Sequence, residues 1–170
     1  MNLKSYLREV PDFPKPGINF IDITTLLKNP QAFAETVKLL VRSVQDSGIN
    51  AVVGIEARGF IFGGAVAKEL GVGFIPIRKP GKLPAATIHE SYELEYGTDS
   101  IEMHADALAK GDRVFLLDDL LATGGTMKAA ASLIEKVGAE VVKIAFVVEL
   151  TFLNGRDKLA GYDVISLVTY

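Results

Sequence analysis

Short apolar runs alternate along the chain with segments in which apolar residues recur at helical spacing. A helix is predicted from Asn29-Pro30, which supplies a cap and a first-turn proline, through the apolar positions up to Val44, ending by Gly48. Further helices are predicted at 60–70 and 125–137. Runs rich in β-branched residues predict strands at 51–56, 73–77, 113–119, 141–150 and 162–168. This alternation predicts an α/β fold, with a central, mostly parallel sheet and helices on both faces.

The segment 79–104 interrupts this alternation. A turn-rich basic stretch, KPGKLP, is followed by two alternating runs around Gly97-Thr98-Asp99, which predict a β-hairpin. The alternation places Tyr92, Leu94 and Tyr96 on one face of the hairpin, and Glu93 and Glu95 on the other. We therefore expect a flap that ends in a hairpin.

Composition narrows the class of protein. A chain of 170 residues with 49% hydrophobic residues predicts a single domain, 1–170, with a full core. The formal net charge of −3 argues against a nucleic-acid or membrane-surface binder. Neither a signal peptide nor a spanning apolar run is apparent, and cysteine is absent, which favours a cytoplasmic protein without disulfides or thiolate metal sites.

The stretch LLDDLLATGGT joins a strand end to a loop that suits an anion. Ala122, Thr123, Gly124, Gly125 and Thr126 are small or hydroxylated, so their backbone N–H groups can approach a phosphate at a helix N-terminus. The chain has no Walker A motif and no dinucleotide fingerprint, which disfavours nucleoside triphosphate hydrolysis and hydride transfer. The alternative is an ordinary strand end followed by a helix that Thr123 or Thr126 caps.

Two aspartates stand directly before this loop. Carboxylates repel a phosphate, but Asp118 and Asp119 can accept hydrogen bonds from two neighbouring sugar hydroxyls while the loop holds a phosphate on the same sugar. A ribose 5-phosphate satisfies both requirements. In open parallel sheets ligands bind beyond the carboxyl ends of the strands, so the loops after Glu56, Ile77, Asp118 and Leu150 should meet at one site.

Basic residues follow two of the predicted strands. Arg58 follows strand 51–56, and Arg78, Lys79 and Lys82 follow strand 73–77; such a concentration of cations suits a diphosphate. The apolar neighbours of Arg58 predict a buried guanidinium that needs a partner. For Lys79 and Lys82 a solvated basic loop is the alternative. The two histidines, His89 and His104, have no third ligand at suitable spacing, so no protein metal site is predicted.

Six segments, in order along the chain, resemble motifs of the type I phosphoribosyltransferases, in particular of the members that use adenine. They are DFPKPGINFIDIT, GIEARGFIFG, IRKPGKLP, SYELEYGTDSIEMH, LLDDLLATGGT and FVVELTFLNGRDKL. The resemblance implies the type I phosphoribosyltransferase fold, with a small N-terminal hood and a flexible hairpin flap, and it implies a homodimer. It also implies transfer of the 5-phosphoribosyl group of phosphoribosyl pyrophosphate to adenine, giving AMP and pyrophosphate.

The resemblance also implies roles for particular residues. The cations Arg58, Arg78, Lys79 and Lys82 would contact the pyrophosphate, and Mg²⁺ would be carried mainly by the donor substrate. Glu95 would hold a purine ring-nitrogen proton, with Tyr96 near the reacting centre. Phe20 and Ile21 belong to a segment that reads adenine through main-chain groups, although Ile21 stands where the family often has arginine. Leu150 would pack on the base, and a non-proline cis peptide would lie near Glu56-Ala57.

The residues named above are also compatible with two other functions. One is a phosphoribosyltransferase for another purine, hypoxanthine or guanine. The other is a non-catalytic regulator that binds phosphoribosyl pyrophosphate. Ile21 and Leu150 could equally be core residues.

Overall fold

A computed structural model describes residues 1–94 and 96–170. In chain order the strands are β1 Arg8–Val10, β2 Phe20–Asp22, β3 Ala51–Ile55, β4 Gly73–Ile77, β5 Thr87–Glu93, β6 Thr98–His104, β7 Arg113–Leu121, β8 Glu140–Glu149 and β9 Val164–Thr169. The α-helices are α1 Thr24–Lys28, α2 Pro30–Ser43, α3 Arg58–Leu70 and α4 Gly125–Lys136. Short 3₁₀ helices cover Leu3–Tyr6, Thr151–Leu153 and Gly155–Leu159.

Five of these strands form one parallel sheet in the order β4-β3-β7-β8-β9. Every residue of β3 is buried, as expected for a parallel strand that helices cover on both faces. The predicted α/β fold with a central parallel sheet is confirmed.

Separate apolar cores cover the two faces of the sheet. On one face α4 packs over β7 and β8, and Phe146 is buried there. On the other face α2 and α3 pack around Phe62 and Phe115, neither of which is exposed to solvent. The alternating residues of β7 enter both cores, which fixes the register of this central strand.

Two small antiparallel pairs lie outside the sheet. β1 and β2 pair near the N-terminus, where the resemblance implies a hood, and β5 pairs with β6 as the predicted hairpin. Backbone hydrogen bonds between Arg78 and Glu102 join the hairpin to the end of β4. The hairpin is therefore anchored at its base to the edge of the sheet.

The structure corrects several predicted boundaries. The helix after β3 begins at Arg58 instead of residue 60, and α2 ends at Ser43 because the chain tightens into i→i+3 turns at Val44 and Gln45. β7 continues beyond Asp119 because Leu121 still pairs with Glu149 of β8. Most other predicted strands shift by one or two residues.

The predicted alternation of the hairpin stops early. β5 ends at Glu93, and the amide of Leu94 donates to the carbonyl oxygen of Gly97 in a turn, so the expected strand face does not continue to Leu94 and Tyr96. Glu95, the other residue of that prediction, lies outside the described residues. In the described part of the chain, the helices are too short and too polar to span a bilayer.

Phe115→Ala should lower the free energy of unfolding by about 3–5 kcal/mol, because it opens a cavity in a closed core. Phe152→Ala is the matched control, since that ring is 67% exposed and its removal should change stability by less than about 0.5 kcal/mol. Urea denaturation of both variants measures the difference. Equal losses would contradict the assignment of Phe115 to the core.

Candidate active site

Three neighbouring cavities follow the carboxyl edge of the sheet, and Thr126 lines all three. The first, of 310 Å³, is lined by Glu56, Ala57, Arg58, Lys79, Asp118 and Asp119, among others. The second, of 90 Å³, lies within the loop 122–126, and the third, of 770 Å³, lies between this loop and the hairpin. Asp118 belongs to both the first and the second cavity, so the carboxylates adjoin the loop as well as the basic residues.

The loop 122–126 is shaped by a contact between two glycines. Gly124 has φ of +83°, in the left-handed region, and forms the N-cap of α4. A Cβ at Gly124 would collide with the carbonyl oxygen of Gly155, and one at Gly155 would collide with that of Ala122. The segment after β8 therefore packs directly against the loop after β7.

Threonine does not cap α4. Gly124 provides no side-chain acceptor, and the hydroxyl of Thr126 donates instead to Tyr92 Oη, at 3.2 Å. The alternative in which Thr123 or Thr126 caps the helix is therefore wrong. Because the cap offers no side-chain acceptor, the first backbone N–H groups of α4 have no capping partner. These residues line the small cavity, where an anion would accept hydrogen bonds from their N–H groups.

The two aspartates differ in their surroundings. Asp119 is only 5% exposed and accepts a hydrogen bond from Arg58 Nε at 2.5 Å. Asp118 accepts one from the backbone amide of Asp119, at 2.8 Å. Burial and the adjacent charge of Asp119 raise the pKa of Asp118 well above its usual value. Asp119 is thus the partner of Arg58, whereas Asp118 takes up a proton more readily than an ordinary aspartate.

Arg58 itself is not buried, contrary to prediction. Its side chain is 49% exposed and Ile61 is 42% exposed, although Gly59 in the same turn of α3 is buried against Asp118. The expectation that it needs a partner is nevertheless met, by Asp119. Its guanidinium also lies 5.8 Å from the centre of the Phe20 ring, which brings the N-terminal hairpin to the same site.

Glu56 organises the second basic loop, and sequence reasoning missed it. Its carboxylate accepts from Lys82 Nζ at 2.6 Å and from the backbone amide of Lys79, and it lies 3.8 Å from Arg78 Nε. Burial raises the pKa of Glu56, but the hydrogen bonds from Lys82 and from the Lys79 amide outweigh burial, so the net pKa is lowered. Glu56 directly follows β3, and Asp118 and Asp119 lie near the carboxyl end of β7; this position at the ends of neighbouring strands was the available signal.

Lys79 joins the hairpin to the site. Its ammonium forms an ion pair with Asp99 and lies 3.1 Å from Tyr92 Oη, which also contacts Asp99 at 3.2 Å. Because Tyr92 accepts from Thr126 as well, one phenol connects the basic loop, the hairpin and α4. Each of the four predicted cations has a carboxylate partner, while their side chains remain 35–49% exposed.

The residues predicted around the base are dispersed. Phe20 is half-buried and packs edge-to-face on Phe13, with ring centres 5.2 Å apart. Ile21 is 4% exposed and belongs to the core, so the side chain is unavailable to a ligand. Leu150 is partly buried against the same core. Tyr96 is 88% exposed on the rim of the 770 Å³ cavity.

Two further predictions concern the backbone and metals. The peptide bond between Glu56 and Ala57 is cis, as the resemblance implies. Over residues 1–94 and 96–170, histidine and acidic side chains nowhere gather into a group of three that could ligate a metal. His104 instead accepts a hydrogen bond from the amide of Ala85, at 3.3 Å.

Comparison with known proteins agrees with this geometry. The model of the phosphoribosyl transferase domain matches residues 22–166. A protein of Acetivibrio thermocellus named adenine phosphoribosyltransferase is 58% identical over the full length of both chains. The crystal structure of adenine phosphoribosyltransferase from Thermoanaerobacter pseudethanolicus has 54% identity and a TM-score of 0.95, with 99% of this chain and 98% of that chain covered.

A more distant structure shows what such a site can hold. Adenine phosphoribosyl transferase from Trypanosoma brucei, in complex with AMP, pyrophosphate and ribose-5-phosphate, is 28% identical, with a TM-score of 0.89 over 98% of this chain and 78% of that chain. The chain described here belongs to the phosphoribosyltransferase family. Its similarity to proteins named adenine phosphoribosyltransferase extends over its whole length.

Gly124→Ala should weaken the binding of ribose 5-phosphate at least tenfold and lower the free energy of unfolding by about 1–3 kcal/mol, because a Cβ there combines left-handed strain with a backbone collision. Gly64→Ala is the control, since its Cβ would meet nothing within 4 Å in α3 and alanine favours the helix. Calorimetric titration and thermal unfolding measure both effects. Unchanged affinity in Gly124→Ala would contradict the role of the loop.

Proposed function

We propose that the protein transfers the 5-phosphoribosyl group of phosphoribosyl pyrophosphate to adenine, giving AMP and pyrophosphate in purine salvage. Membership of the phosphoribosyltransferase family and full-length similarity to proteins named adenine phosphoribosyltransferase support this function. The observation that carries the proposal is the order of groups along the sheet edge. Basic residues line one end, Asp118 and Asp119 follow, and the glycine loop lies at the other end.

This order corresponds to the parts of the donor. The loop 122–126 would bind the 5-phosphate, Asp118 and Asp119 would bind the ribose hydroxyls, and Arg58, Arg78, Lys79 and Lys82 would bind the pyrophosphate. The oxygens of Asp118 and Asp119 can each accept from a ribose hydroxyl, and the raised pKa of Asp118 reflects burial and the repulsion between the two neighbouring carboxyls. Two adjacent charged carboxylates would be more costly to bury.

The reaction breaks the bond from ribose C1′ to pyrophosphate and forms one to a purine nitrogen, through an oxocarbenium-like state. Alignment and stabilisation of the leaving group are then the main tasks of the protein. The cations would exchange carboxylate partners for pyrophosphate oxygens, and the carboxylates of Glu56, Asp99 and Asp119 keep these side chains beside the cavity beforehand. The hairpin would exclude water, which competes with adenine for C1′.

On the acceptor side, Glu95 would take or hold the ring-nitrogen proton and Tyr96 would lie near the reacting carbon. Main-chain groups of Phe20 and Ile21 would read the adenine edge, which leaves the buried side chain of Ile21 with a packing role. Leu150 would pack on the ring. We propose these roles by resemblance to the family.

The proposed reaction uses Mg²⁺, carried mainly by the donor substrate. Among the described residues, histidine and acidic side chains form no group of three that could ligate a metal. This fits the arrangement, because Mg²⁺ keeps water and substrate phosphate ligands instead of an all-protein cage. When bound, Mg²⁺ would neutralise charge on the departing pyrophosphate. Asp118 and Asp119, which line the basic cavity together with Glu56, would be the acidic residues available to hold such a complex.

We further propose that residues 1–170 form one domain and that the protein acts in the cytoplasm as a homodimer. Both faces of one sheet are covered by elements from along the chain, which supports a single domain. The absence of cysteine agrees with a reducing compartment. The homodimer rests on the family resemblance.

A turnover assay tests the function. With phosphoribosyl pyrophosphate and Mg²⁺, we expect AMP and pyrophosphate from adenine, and kcat/KM at least 100-fold lower with hypoxanthine or guanine, because their 6-oxo group replaces the amino donor. Donor binding without turnover would instead identify a regulator, and a preference for a 6-oxo purine would identify another transferase. Either result would overturn the proposal.

Glu95→Gln should lower kcat at least 100-fold while the KM for phosphoribosyl pyrophosphate changes less than threefold, because an amide cannot take the purine proton. Glu93→Gln is the matched control, since Glu93 is an exposed glutamate two residues away at the end of β5, and its kcat should stay near that of the parent. Steady-state kinetics with adenine distinguish the two. Similar kcat values for both variants would refute the role of Glu95.

A further inference from the structure

The segment after β8 forms the outer wall of the phosphate loop. Gly155 begins the 3₁₀ helix Gly155–Leu159, and its backbone packs directly on Ala122 and Gly124. Because two backbones touch without side chains between them, a displacement of this helix would also displace the loop. The helix is therefore placed by the same contact that shapes the loop.

An ion pair between half-exposed Arg156 and buried Glu149 holds this helix against the sheet. Arg156 donates to Glu149 through Nε, at 3.0 Å, and through Nη2, at 2.5 Å, while Glu149 is only 5% exposed. Ser166 Oγ donates to the same carboxylate at 2.6 Å, and Arg156 Nη1 reaches the carbonyl of Val164 at 2.8 Å. The two hydrogen bonds from one guanidinium to one carboxylate fix the orientation of Arg156 as well as its distance from Glu149. The backbone position of Lys158, two residues further along, is therefore fixed as well.

That residue is Lys158, which extends toward the loop. Its ammonium lies 3.9 Å from the position that a Cβ on Gly125 would occupy, at the first residue of α4. Lys158 lines the 770 Å³ cavity together with Thr123, Gly125 and Thr126. A phosphate on the amides of this loop would lie within reach of the ammonium after a small rotation of a flexible side chain.

A phosphate bound to the loop 122–126 requires a further positive charge beside it. Arg58, Lys79 and Lys82 are paired with carboxylates in or beside the first cavity, at the opposite end of the site. The N-terminus of a helix offers only about half a positive charge, whereas a phosphate monoester carries nearly two negative charges at neutral pH. A lysine beside Gly125 supplies a full charge.

We propose that Lys158 is a further substrate-binding residue, which contacts the 5-phosphate of the donor and of AMP. This inference rests on the proposed function, because it assigns the loop 122–126 to that phosphate. Gly155 and the Glu149–Arg156 pair act as positioning residues, since they place the helix that carries Lys158. Lys158 thereby extends the phosphate site from the loop after β7 to the segment after β8.

Ribose 5-phosphate and pyrophosphate test the two ends of the donor binding site independently. Lys158→Gln should weaken the binding of ribose 5-phosphate about tenfold and leave the binding of pyrophosphate within twofold, because only the former reaches the loop. Lys158→Arg should restore most of the affinity. Lys128→Gln is the matched control, since Lys128 lies on α4, the helix that follows the loop, but places its ammonium 5.1 Å from the centre of the Tyr162 ring, and both affinities should stay unchanged.

Calorimetric titration of the intact protein gives these affinities, and AMP formation is assayed on the same samples. Unchanged ribose 5-phosphate binding in Lys158→Gln overturns the inference, as does an equal loss for both probes or an equal loss in Lys128→Gln. If the parent protein forms no AMP while ribose 5-phosphate binding still depends on Lys158, the proposed function fails and the phosphate contact stands.

Discussion

The parallel register of β3, β7 and β8 is the constraint on which the site depends. Val53 pairs with Leu116 and Leu117 pairs with Ala145, so the three strands run side by side and their carboxyl ends meet at one edge. Buried apolar side chains on both faces hold this register, because a slip by one residue would exchange the two faces of β7. Glu56, Asp119 and Leu150 lie at this edge as a consequence of that register.

The charges at this edge are arranged in pairs. A protein of net charge −3 keeps four cations beside one cleft by giving each a carboxylate partner, and Glu56 serves two of them. Pairing lowers the cost of burial, and it also keeps long flexible side chains near the place where a phosphate would engage them. At Asp118 the contrast is that the nearby charge of Arg58 does not offset burial and the adjacent charge of Asp119, so the pKa rises.

Much of the fold could be predicted because its signals are local. The β-branched runs reflect strands that are buried on both faces, and the helical periodicity reflects helices that are buried on one face. These patterns therefore predicted the parallel sheet and its helices within a few residues. Arg58 was misjudged, because its apolar neighbours in sequence do not show which side of the first turn of α3 faces solvent. The extension of β7 past Asp119 was also missed, because it depends on pairing with Glu149 of another strand.

The sequence alone determined the class of fold, the glycine loop after β7, and the presence of acidic and basic residues at strand ends, since periodicity and residue type carry this information. Only the tertiary structure decided which carboxylate holds which cation, that Ile21 faces the core, and that Gly155 and Lys158 border the loop more than 30 residues before them in the chain. These facts depend on contacts between segments distant in sequence. Such contacts form only when the whole sheet is assembled.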